Sequence, residues 1–182
     1  MKGIIFTEFL DMVEERFSVE TAEEILEAAN LASGGSYTTL GTYSHAEILD
    51  LVTHLGKVSG KNVEELVMFF GEYLFGRFAA VHGEFFTSVI SSMDFMPKVE
   101  NYIHIEVQKL YAEAQPPQLN CQRLSDDRMA LHYKSHRPLA ALCQGLIQGC
   151  ANWFGETVDI TREDLPGSGP GTEAKFLVIK QA

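Results

Sequence analysis

The chain has 182 residues, 46% of them hydrophobic, which suits one compact domain and leaves little for a second with its own core. Twenty-five acids against 14 Lys and Arg give a formal charge of -11, a field that repels nucleic-acid phosphates and anionic lipid. Residues 1–100 carry 16 acids and 6 bases and residues 101–182 carry 9 and 8, so a site for an anion belongs in the second half.

Glu8 and Asp11 interrupt the first apolar run before it reaches signal length, and charges break every stretch approaching the roughly 18–20 apolar residues of a membrane span. Three cysteines, Cys121, Cys143 and Cys150, are too few for a disulfide framework, so a cytoplasmic location is expected. Cys143 and Cys150, seven apart on one helix, would sit roughly 10 Å apart along its axis, beyond disulfide reach.

Phe6, Phe9, Leu10, Val13 and Phe17 form a helical stripe that starts almost at residue 3. Thr21 with Glu24 fits a capping box for a second helix to about residue 30, closed by Gly34 and Gly35. Ser44 with Glu47 repeats the signal before Ile48, Leu49, Val52 and Leu55, and Gly60 to Asn62 punctuates before a helix over 63–78. Further helices are expected over about 84–93 and, after Met96-Pro97, to about 112. Pro116-Pro117 ends the helical half. Runs at 119–124 and 128–132 flank Ser-Asp-Asp as a hairpin, with Met129, Leu131 and Tyr133 on one face. A helix opens at Arg137-Pro138, with Leu139, Leu142, Leu146, Ile147 and Trp153 as its apolar positions, and strands follow over 157–161 and 175–180. This order predicts an α+β fold with a small four-stranded antiparallel sheet covered by helices. The expected organisation is one domain over 1–182, a helical subregion to about residue 65 and a ligand-cradling subregion over about 66–182.

Tyr133, Ser135 and Arg137, if extended, project to one face at steps of roughly 6.6 Å, two hydroxyls and a guanidinium in a row. Such a row suits a pair of carboxylates; the same pattern also describes an ordinary strand end with a solvated Arg. His104 has Met96, Ile103, Val107 and Leu110 as near-neighbours at helical spacing. A neutral imidazole there suits either a metal ligand or a hydrogen-bonded core histidine.

Together these features resemble the haem nitric oxide/oxygen binding family, H-NOX, which also forms the haem domain of soluble guanylate cyclase. The resemblance spans nearly the whole chain. It rests on the opening Met-Lys-Gly-Ile-Ile-Phe, the helix with His104, Pro116-Pro117, the Y-x-S-x-R run 29 residues after His104, and Leu-Ile-Gln-Gly at 146–149. It implies one haem b per chain, with His104 as proximal iron ligand and Tyr133, Ser135 and Arg137 gripping the propionates. Pro117 is similar to the family proline that presses the macrocycle out of plane. Ile5, Phe9, Leu74, Phe78, Leu142 and Leu146 match the positions lining the distal side.

Oxygen-binding relatives place a Tyr nine positions after the motif Tyr, where this chain has Leu142, and a supporting polar pair where it has Phe9 and Leu74. The resemblance therefore implies a sensor that binds NO and CO and forms no stable ferrous dioxygen complex. NO competes with the trans ligand, so release of His104 would free the helix around 97–112. The expected output is regulation of a separate enzyme, a histidine kinase or a cyclic-di-GMP enzyme, by a protein without catalysis of its own.

A scaffold or small-molecule binding domain of related α+β shape, without iron, is the competing reading, and a redox enzyme using Cys143 or Cys150 a distant third. His132 and His136 are separated by roughly 13 Å on a strand, too far to share zinc. His45, His54 and His82 have no local ligand cluster. The C-terminal Cys/His zinc cluster of some relatives has no counterpart over 161–180, and the glycines at 167–171 read as a hairpin connection.

Overall fold

The apolar stripe after Gly3 winds into α1 (Ile4–Arg16), burying Phe6, Phe9, Met12 and Val13 in a computed structural model that describes residues 1–167 and 169–181. Seven α-helices, one 3-10 turn, one π-helical turn and four strands follow one another among the described residues. They divide into two compact units, Met1–Phe70 and Gly71–Ala182.

In the first unit α1 is followed by α2 (Val19–Ala28) and α3 (His45–Ser59), and the unit ends within α4 (Val63–Val81). The cap of α2 is Ser18, whose hydroxyl accepts the Thr21 amide, rather than Thr21 itself. Thr21 sits one turn inside, and the helix stops at Ala28, well before Gly34 and Gly35. Ser44 caps α3 as expected, accepting from Ala46. Glu47 does not return to that cap. Its buried carboxylate instead accepts the Ser33 and Tyr37 hydroxyls, pinning the 30–43 loop. Gly60, at φ 68°, ends α3 in the left-handed conformation, and Asn62 accepts the Glu64 and Glu65 amides to open α4. The core is Phe6, Phe9, Ile25, Leu51, Leu55 and Phe70, with Phe9 edge-on to Phe70.

The second unit holds the end of α4, then α5 (Ser92–Lys98), α6 (His104–Leu110), β1 (Gln118–Arg123), β2 (Arg128–Lys134), α7 (Ala140–Trp153), β3 (Val158–Asp164) and β4 (Glu173–Lys180). The strands form one antiparallel sheet in the order β1-β2-β4-β3. Met129, Leu131 and Tyr133 of β2 and Ala174, Phe176 and Val178 of β4 make its buried face. Against them pack Ile147, Cys150 and Ala151 of α7 and Met93, Phe95 and Met96 of α5.

Further helical boundaries differ from those expected, beginning with α4, which runs on to Val81. The 84–93 helix is only a 3-10 turn over Gly83–Phe86, and α5 begins at Ser92, where Ser91 and Asp94 make the cap. Pro97 lies inside α5 instead of ahead of a new helix, and the chain continues through a π turn (Val99–Ile103) into α6. Proline near a helix C-terminus leaves one carbonyl unbonded, and the wider π turn absorbs the irregularity. α7 starts at Ala140, two residues beyond Pro138, because Arg137 and Pro138 are spent in the turn after β2. The 167–171 connection is as expected a turn region, with its Ser168 outside the described residues.

Candidate functional site

His104 is the first residue of α6, directly after the π turn, and its side chain is 16% exposed. Its Nδ1 lies 2.9 Å from Glu100 Oε2, one helical turn back, an i,i+4 contact. With the carboxylate as acceptor, Nδ1 carries the proton and Nε2 presents a lone pair. The neighbours differ from the periodicity argument at one end: Met96 is buried and Ile103 and Val107 half-buried, but Leu110 is exposed because the helix ends there.

The same Glu100 Oε2 accepts the Leu119 amide at 3.2 Å. Leu119 is in register with Tyr133 across the β1–β2 ladder. Tyr133 is buried, and its hydroxyl donates to the Arg137 carbonyl at 3.4 Å. Burial pushes the phenol up to about 12, so it remains an O–H donor at physiological pH. The strand stops at Lys134, so Tyr133, Ser135 and Arg137 are not one extended row. Ser135 Oγ instead accepts the Arg137 amide at 3.1 Å, folding the run into a turn, and Arg137 donates to the Gln115 carbonyl at 2.8 Å, beside Pro116 and Pro117. A continuous chain of contacts thus joins His104, Glu100, Leu119, Tyr133, Arg137 and the double-proline segment.

In the same unit α4 and α7 are close-packed at backbone level. A Cβ on Gly71 of α4 would meet the Leu142 carbonyl at 2.5 Å, and one on Gly149 of α7 would meet Glu72 backbone atoms at 2.9 and 3.0 Å. That crossing places Leu74 and Phe78 on one helix and Leu142 and Leu146 on the other. Leu74 is buried, while Phe78, Leu142, Leu146 and Pro117 are half-buried. Ile5, half-buried, and Phe9, fully buried, belong to the first unit.

The model of the haem-NO-binding family matches residues 2–162. The chain belongs to this family. Solved H-NOX structures agree. The Fe(II) unliganded H-NOX of K. algicida is 31% identical, with 100% of this chain and 97% of that one covered at TM-score 0.91. The H-NOX of Shewanella woodyi in the Fe(II)CO ligation state is 38% identical, with 100% and 95% covered at TM-score 0.82. That of S. oneidensis in the Fe(II)NO ligation state is 27% identical, with 100% of both chains covered at TM-score 0.88. No curated protein matches.

The H-NOX assignment gives the α+β fold its meaning as that of a haem-binding gas sensor, and the residues present fit a haem. An imidazole with a defined free nitrogen suits iron, a neutral phenol and a guanidinium suit propionates, and half-buried apolar side chains suit a flat apolar ring. Other candidates recede. Cys143 and Cys150 are free and buried, and burial pushes both thiols up, which makes them inert; Cys121 is pushed up to about 11, first by burial and then by Glu100. His132 pairs with Glu173 and His136 is exposed. Among the described residues, no group of three or more His, Cys, Asp or Glu is arranged to hold a metal and no helix is long and apolar enough to cross a membrane.

Two participants, Glu100 and Gln115, escape the sequence reading. The Glu100–His104 spacing is visible as an i,i+4 pair, but charged pairs at that spacing are common on helices. The Gln115 contact uses a backbone carbonyl and leaves no side-chain signature.

Proposed function

We propose that this chain is a cytoplasmic haem-based sensor that binds NO, and also CO, at one ferrous haem b and regulates a separate signalling enzyme without turnover of its own. The observation that carries the reading is the unbroken set of contacts from the His104 imidazole through Glu100 and β1 to Tyr133 and Arg137. In this reading His104 Nε2 is the proximal ligand. Tyr133, Ser135 and Arg137 hold the propionates, with Arg137 trading or sharing its Gln115 contact. Pro117 would press against the haem, and within the second unit Leu74, Phe78, Leu142 and Leu146 would supply its apolar lining on the gas side.

A bound haem would supply a ferrous iron able to bind a diatomic gas, with His104 as the protein's ligand to it. The protein's part is to hold His104 in one tautomer, to keep the distal side apolar and to convert the strength of the histidine tether into the position of residues 97–112. Dioxygen gains from a hydrogen-bond donor beside it whereas NO does not need one, and Leu74 and Leu142 offer none. A histidine kinase or a cyclic-di-GMP enzyme is the proposed partner class.

Absorption spectroscopy of the purified protein tests this. A strong Soret band that shifts with CO and with NO but gives no stable oxygen complex in air is expected, and His104→Gly should uncouple haem occupancy from the partner's response. A colourless protein that reconstitutes with no haem would favour an iron-free scaffold, and a persistent oxygen complex would overturn the gas selectivity.

A further inference from the structure

We infer that Glu100 is a positioning residue that sets how firmly His104 holds iron, because a single carboxylate oxygen takes the His104 Nδ1–H and is itself fixed by the Leu119 amide. The inference rests on the proposed role of His104 as proximal ligand. Glu100 Oε2 is 2.9 Å from Nδ1 and 3.2 Å from the Leu119 nitrogen, so the oxygen is held between the ring it orients and the β1 backbone. A charged acceptor makes a hydrogen bond about twice as strong as a neutral one, and the more it draws on the Nδ1 proton, the more electron density Nε2 can donate.

The place of Glu100 in the chain adds a second function. It lies in the π turn between α5 and α6, and the amide it captures belongs to an edge strand, β1, in register with Tyr133. Edge strands leave amides unpaired, and this one is paired to the residue that steers the ligand histidine. Displacement of His104 is therefore transmitted through Glu100 to the strand beside the phenol. Groups behind a metal ligand commonly change metal affinity about 10–100-fold when replaced.

Resonance Raman spectra and redox titration of the haem-loaded protein decide the matter. Glu100→Gln, which keeps the shape and loses the charge, is expected to move the ferrous iron–histidine stretching band to lower frequency and to raise the midpoint potential. It should also enlarge the share of NO-treated protein in which His104 has come off. Where the Gln variant loads poorly, Glu100→Asp, which keeps the charge and shortens the reach, should shift the same band by a smaller amount. An unchanged band and potential in a folded, fully loaded variant would overturn the inference while leaving the gas-sensor reading intact. A wild-type protein that binds no haem would overturn both.

Discussion

At the scale of single residues, the clasp can be tested apart from the histidine. Tyr133→Phe with Arg137→Ala removes a buried phenolic donor and a half-buried guanidinium, each a hydrogen bond to a charged acceptor in the proposed complex. Such bonds contribute about 1.5–3 kcal/mol, so haem transfer to an acceptor apoprotein should quicken by about 10-fold or more. Equal transfer rates for the wild type and the double variant would contradict the clasp. His104, Tyr133, Ser135 and Arg137 stand out as candidates in the sequence because a helical His and a Y-x-S-x-R run lie at the family's separation. The geometry among them does not. Whether Ser135 continues a strand or starts a turn depends on where the ladder with β4 ends, a tertiary fact: the Ser135 amide donates to the Thr172 carbonyl just beyond the last paired residues.

Among whole elements, the crossing of α4 and α7 depends on glycine. Gly149→Ala would drive a methyl to 2.8 Å from the Phe75 Cβ and 2.9 Å from the Glu72 carbonyl, contacts that side-chain rotation cannot relieve. Overpacking of this kind costs about 1–3 kcal/mol, and the better helix propensity of Ala returns less than about 1 kcal/mol, so a lower urea midpoint is expected. A midpoint equal to or above that of the wild type would mean that the helices separate at little cost. Strands were readable from alternation, and β2 matches it closely, buried at Met129, Leu131 and Tyr133. The helices between 84 and 112 are not legible in the sequence because local signals conflict there. Pro97 argues for a boundary, but the apolar side chains of Met93, Phe95 and Met96 bury against the sheet and carry α5 through it.

Across the whole second unit, one carboxylate ties together segments far apart in sequence. Glu156, with its side chain 6% exposed, accepts the Ser92 amide and hydroxyl and the Lys180 ammonium, joining the start of α5 to the end of β4. Burial alone would raise its carboxyl, but the Lys180 and Ser92 bonds outweigh burial and hold it below the ordinary glutamate value. A depressed carboxyl stabilises the fold above its unfolded pKa and loses that contribution as pH falls through the folded value. Glu156→Gln should therefore cost about 2 kcal/mol at neutral pH and progressively less toward pH 3, flattening the acid limb of stability measured by urea unfolding. Parallel acid limbs for the two proteins would remove Glu156 from that role. The two kinds of attachment in this unit have unequal give. Backbone against backbone at Gly71 and Gly149 has no intervening side chain to compress, whereas the segment bearing His104 is held by side chains: Met93, Phe95 and Met96 in the core, the Glu100–Leu119 bond and the exposed Arg123–Asp94 pair. If His104 is the iron ligand as proposed, a displacement of its imidazole would be taken up on the side-chain-held side, with the close-packed helix pair as the fixed reference.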